Sequence, residues 1–163
     1  MTKYYIFEYS SSIFAASLNG RGLKKKYKDK ELHEAKLCCF QREWNTVWKG
    51  KLFLGITYNQ PSYVNGVIFE VQKEDIKPYC KSMFVGQCYK FVNVSTNISC
   101  NIMFGSQDKI FTCVTRKPAS NGQIPAHYLY LIKDGLEVRG KEFTDNFFRT
   151  TKQDEYVKHL FFI

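Results

Sequence analysis

YYIFEYSSSIFAASLNGR, residues 4–21, is the stretch on which the reading of the chain turns. Tyr4 to Tyr9 are apolar and aromatic enough for a β-strand, yet the run ends at Ser10, Ser11 and Ser12 instead of at a Gly, Pro or Asn turn. Three hydroxyls at the end of a strand raise the question whether the cluster is a site. Read from the residues alone, Ser12 can cap a short helix over 13–18 by accepting one of the unpaired first-turn amides.

Downstream, the pattern continues as strands with few helices between them. The segment AKLCCFQREWNTVW, 35–48, has a mixed pattern whose Leu, Cys, Phe and Trp content suits a strand, and KLFLGITY, 51–58, is a stronger strand. NQPSYVNG, 59–66, reads as a turn, and VIFEV, 67–71, as a strand with Val67, Phe69 and Val71 on one face. KEDIKPYCKSMF starts as a short helix that Pro78 either tolerates or limits. Further strands are predicted over 86–94 and within 101–115, followed by a two-proline loop at 116–125. In the next segment Tyr128, Leu131 and Ile132 have helical spacing, with Gly135 placed to end or interrupt the helix. A last helix covers 142–149 or 153–160. With no internal repeat or linker, we expect one domain over 1–163. Its expected class is mixed α/β: about six mostly antiparallel strands, two or three short helices, and a sheet closing as a small barrel.

The bulk composition agrees with a folded domain. The 163 residues are 44% apolar and include 14 Phe and 11 Tyr, enough to bury a core without metal or disulfide support. No apolar run approaches a membrane span, and Glu8 and the serines interrupt any export-like start. The expectation is an intracellular, cytoplasmic protein with no membrane association. Cysteines at 38, 39, 80, 88, 100 and 113 are then expected to be free thiols. None forms a Cys-x-x-Cys, so neither metal nor other cofactor is expected.

The net charge of +9 is unevenly spread. Residues 21–51 hold ten Lys or Arg against four Asp or Glu, densest at KKKYKDK, 24–30. Lys24, Lys25, Lys26, Lys28 and Lys30 can contact an anion or simply form a solvated face. No aromatic-interleaved RNA-binding signature or zinc-finger spacing accompanies them.

The order of motifs resembles the gamma-glutamylcyclotransferase-like family, small mixed α/β barrels whose enzymes release 5-oxoproline from gamma-glutamyl amines or peptides. That family opens with a strand ending in Tyr-Gly-Ser-Asn, matched here by Tyr9, Ser10, Ser11 and Ser12. Its next segment is matched by Ala35, Leu37, Phe40, Trp44 and Asn45, and its central strand and helix start by Gly66 to Phe69, Val71 and Glu74 to Ile76. Tyr89, Pro125, Tyr128, Ile132 and Gly135 match the remainder, so the resemblance spans about 4–150. It implies a substrate pocket between the first turn, the 83–89 region and Tyr128.

It also implies a general base, a Glu just before the Tyr89 strand, because the substrate amine must lose a proton as it attacks its own side-chain carbonyl. Met83 or Val85 stands at that position, depending on the alignment, and no Asp or Glu occurs from Ile76 through Gln107. The turn has also lost the family's glycine, at Ser10, and its asparagine, at Ser12. A replacement base would have to come from Glu8 or Asp134, each read as a surface group, or from Cys80 or Cys88 with His127.

The reading is therefore a divergent member that binds a small acidic or amide-bearing ligand, or a macromolecular partner, in a pocket of Tyr9, Ser10, Ser11, Ser12, Met83, Val85, Tyr89 and Tyr128. The alternatives are an active enzyme with a relocated base and an RNA-associated or protein-complex-forming structural protein.

Overall fold

The Tyr4–Glu8 strand (β1) runs through the interior of a seven-stranded sheet, hydrogen-bonded on both sides and buried from Tyr5 to Glu8. A computed structural model describes residues 1–153 and 155–162. In chain order the elements are β1, α1 (Ala15–Asn19), a 3₁₀ turn at Asp29–Glu31, β2 (His33–Trp48), β3 (Lys51–Val71), α2 (Lys73–Ser82) and β4 (Tyr89–Asn93). After these come β5 (Ile98–Cys100), β6 (Lys109–Thr115), α3 (Ala126–Arg139), α4 (Lys141–Arg149), β7 (Thr151–Lys152) and α5 (Glu155–Leu160).

The sheet order is β4-β6-β1-β3-β2-β5, with β7 joined to β2. Among the described residues, β1–β6 and β2–β7 are the strand pairs that run parallel, and the other neighbouring strands are antiparallel. Both faces are apolar, and alternation along β1 divides them. Ile6 joins a core that α1 to α4 cover through Leu18, Tyr79, Ile132, Leu136, Phe143 and Phe147. On the opposite face Tyr5 and Phe7 meet Leu37, Ile56, Ile68 and Val114, and no helix adds a buried side chain there among the described residues. The mixed α/β class and the mostly antiparallel sheet are as expected, and no pairing between β4 and β5 closes that sheet among the described residues.

The long β2–β3 hairpin differs from the predicted strand, turn, strand. Its turn is Lys49–Gly50, both at positive φ (48° and 75°), the geometry that suits a two-residue hairpin. Residues 59–66, predicted as a turn, lie inside β3. The turn chemistry of NQPS has a local meaning nonetheless. The ladder jumps from Tyr63 opposite Cys38 to Tyr58 opposite Phe40, so 59–62 have no partner and Pro61 costs no ladder bond.

Helices are more numerous than the two or three expected: five form among the described residues, since α4 and α5 both occupy the segments read as alternatives. Pro78 sits within α2 without ending it. Residues 101–104, read as strand, lie outside β5 and β6. Gly135 neither ends nor interrupts α3; a Cβ there would come within 2.6 Å of Ile13 Cγ1, so its role is close packing of α3 on the loop after β1. All six cysteines are free thiols, and no described helix is long and apolar enough to cross a membrane.

Candidate functional site

The serine turn is not a surface turn. Ser10, Ser11 and Ser12 are 4%, 3% and 0% exposed, so each hydroxyl needs a partner inside the protein. Ser12 does not cap α1. Phe14 holds the cap position, and the Ala15 N–H is taken instead by Asp29 Oδ1 at 2.7 Å. Arg21 supplies what the turn needs: its Nε donates to Ser12 Oγ at 2.6 Å and its Nη2 to Ser11 Oγ at 3.3 Å. Ser10 hydrogen-bonds the Tyr128 hydroxyl.

Behind the turn a second arginine fixes its first carbonyl. Arg42 is completely buried and donates to the Tyr9, Asn65 and Phe147 carbonyls, to Asn65 Oδ1, and to the Thr150 and Thr151 hydroxyls. Its guanidinium lies 3.8 Å from the centre of the Phe147 ring. Burial draws it down to about 9, which leaves it charged at neutral pH. β1, β2, β3, α4 and β7 thus meet on one side chain.

The cavity in front of the turn has a volume of about 220 Å³. Its polar wall is Ser10, Ser11, Arg21, Thr46, Ser82, Tyr89 and Tyr128; Trp48, Phe53, Met83, Phe84, Cys88 and Leu131 form the apolar remainder. Two tyrosines are oriented through a β-bulge. The β2–β3 register slips at Asn45, freeing the Leu54 peptide, whose N–H reaches Tyr128 Oη at 3.3 Å and whose carbonyl accepts from Tyr89 at 2.7 Å. Burial pushes Tyr128 up to about 12 and Tyr89 well above the ordinary tyrosine value, so both are neutral hydroxyls. Asn45 Oδ1 receives the Thr46 and Thr115 hydroxyls over Gly55, where any Cβ would overlap all three groups.

Of the eight predicted pocket residues, Ser10, Ser11, Met83, Tyr89 and Tyr128 line this cavity. Tyr9, Ser12 and Val85 do not: Tyr9 is buried with its hydroxyl on the Cys113 carbonyl, Ser12 lies behind Arg21, and Val85 bridges to Tyr89. The lysine loop is elsewhere. Buried Asp75 accepts the Lys24 and Lys25 amides, Lys25 pairs with Glu31 at 3.1 Å, and Lys26 Nζ donates to the Asn19 and Leu23 carbonyls. Lys24, Lys26, Lys28 and Lys30 are exposed.

Glu8 is not the surface group predicted. It is 2% exposed, accepts a hydrogen bond from Tyr79 on Oε1, and has no partner on Oε2. Burial raises its pKa, opposed by the nearby Arg21 charge, the Tyr79 hydroxyl and the Ser12 backbone. Even so, neither Glu8 nor any other carboxylate among the described residues lies on the cavity wall. Asp134 is exposed on α3. Cys88 lines the cavity, but burial raises its pKa, and His127 faces a neighbouring cavity with Ser17 and Arg21. The wall therefore offers one cation, several neutral hydroxyls and an apolar surface, and it lacks a group to take a proton.

No family model and no curated protein matches the chain. Solved structures do. One described as gamma-glutamyl cyclotransferase superposes with a TM-score of 0.67 at 14% identity over 98% of both chains. YkqA from Bacillus subtilis gives 0.68 at 17% identity over 90% of this chain and 53% of its own. The uncharacterized human protein loc79017 gives 0.66 at 13% identity over 99% of both. With strand order, turn and cavity in place, the chain has the gamma-glutamylcyclotransferase fold.

Proposed function

We propose that this protein binds a small acidic or amide-bearing ligand in the cavity in front of the serine turn and does not cyclise gamma-glutamyl groups. One observation carries the reading: among the described residues the cavity wall contains Arg21 and no carboxylate. Cyclisation requires a group that accepts a proton from the attacking amine and returns one to the leaving amine, either directly or through one water. Serine and tyrosine hydroxyls of ordinary or raised pKa orient a ligand without doing this. The space is open, with Met83 on its wall and Phe84 47% exposed, which favours a ligand over a plugged scaffold.

Purified protein incubated with glutathione and with gamma-glutamyl amines is expected to release no 5-oxoproline. Robust release that disappears on substituting Ser10 or Tyr128 would sink the proposal.

A second reading keeps catalysis and assigns the base to Glu8. It is favoured by the buried, half-unpartnered carboxyl one short turn from Ser10. On that reading Glu8→Gln abolishes 5-oxoproline release while leaving the fold intact, as measured by circular dichroism alongside the assay.

A further inference from the structure

Resting on the binding reading above, we infer that the cavity selects carboxylates that carry an amide but no free amine: N-acyl or lactam acids, rather than zwitterionic amino acids. Three features of the wall lead to this class. The first is charge. Among the described residues Arg21 is the one charged side chain on the cavity wall, and its Nε and Nη2 are spent on Ser12 and Ser11. Nη1 has no protein acceptor among the described residues. A carboxylate beside Nη1 would complete the guanidinium's hydrogen bonds with a charge-assisted contact.

The second is what a ligand ammonium would meet. An α-amino acid places its ammonium next to its carboxylate, so anchoring one beside Arg21 brings the other toward the same cation. No carboxylate among the described residues of the wall offsets that repulsion; Glu8 keeps an unpartnered Oε2, but it is buried and off the wall, so a ligand ammonium in the cavity does not reach it. Acylating the amine removes the charge and leaves an amide, for which Ser10, Tyr128 and Thr46 provide hydroxyl partners. The third is size and polarity. At about 220 Å³ the cavity is below the range for drug-sized ligands, roughly 300–1,000 Å³, and Trp48, Phe53, Met83 and Leu131 offer a modest apolar group somewhere to pack.

Three matched probes separate these features: N-acetylleucine has carboxylate and amide, leucine has carboxylate and ammonium, and N-acetylleucinamide has the amide without the charge. Calorimetric titration of the full chain is expected to show N-acetylleucine binding at least tenfold more tightly than either of the others. Arg21→Gln should remove the preference over N-acetylleucinamide, and Arg21→Lys should restore part of it. Because Arg21 also braces the turn, the wild-type ranking decides the matter even if the variants fold poorly. Equal or tighter binding of leucine or N-acetylleucinamide overturns this selectivity while leaving the binding reading in place. Binding of none of the three, nor of any gamma-glutamyl amine, removes both.

Discussion

Two arginines hold the two sides of the serine turn, and they differ in how completely they are used. Arg42 is fully buried, and oxygen acceptors surround all of its N–H groups. Arg21 is half-buried, spends Nε and Nη2 on two serines, and presents the rest of its guanidinium to open space. A buried cation with a full set of partners is scaffold, because nothing further can be gained by bringing it a ligand. A cation with donors to spare at the edge of a cavity is where a ligand gains most.

Loss of Arg42 should therefore be felt in folding and loss of Arg21 in binding. Arg42→Met strands several buried acceptors at once and is expected to cost about 4 kcal/mol, lowering Tm by roughly 8–16 °C; a loss under about 1 kcal/mol by urea unfolding would deny it the scaffold role. Gly55→Ala, which forces a methyl group into the Asn45, Thr46 and Thr115 hydroxyl network, is expected to cost about 1–3 kcal/mol. It should also disturb the Leu54 peptide that positions Tyr89 and Tyr128, seen as a changed tyrosine environment in near-ultraviolet circular dichroism.

Glu8 lies between the two extremes. Burial raises its folded-state pKa above the ordinary 4.5, so the native protein holds this proton more tightly than the unfolded chain. Its contribution to stability is full below about pH 4.5 and is lost as pH rises through the raised folded value. Glu8→Gln should flatten that part of a stability–pH profile; an unchanged slope above pH 4.5 would show that Glu8 titrates normally. The smallest stability effect is expected at Arg21: Arg21→Gln removes two part-buried bonds to neutral hydroxyls and should cost about 1 kcal/mol.

The legible parts of the sequence were those written in local periodicity. β1, β4 and β6 alternate or run apolar, α3 repeats at helical spacing, and the break at Ser10 marks the end of β1 as expected. Residues 59–66 misled because Asn, Gln, Pro and Gly carry the same turn chemistry whether the chain reverses or bulges within a strand. The order of motifs points to five residues that line the cavity, but not to Arg21, and it leaves Glu8 and Arg42 without their buried roles. Glu8 looks like an exposed polar residue in an alternating strand, and Arg42 like one more surface cation in a basic region. Tyr79 of α2 packs on Glu8 and Phe147 of α4 on Arg42, and neither contact is visible in local sequence. Arg21 gave one available signal: a cation nine and ten residues after two hydroxyls that a buried turn would have to satisfy.

Gly135 has an architectural consequence. It lets α3 lie against Ile13 and Phe14, and the same helix carries Tyr128 and Leu131 into the cavity wall. The missing side chain thus works as a spacer of zero thickness. A carbon added there would press on Ile13 and Phe14 and push against the helix that carries Tyr128 and Leu131, from a position outside the cavity wall.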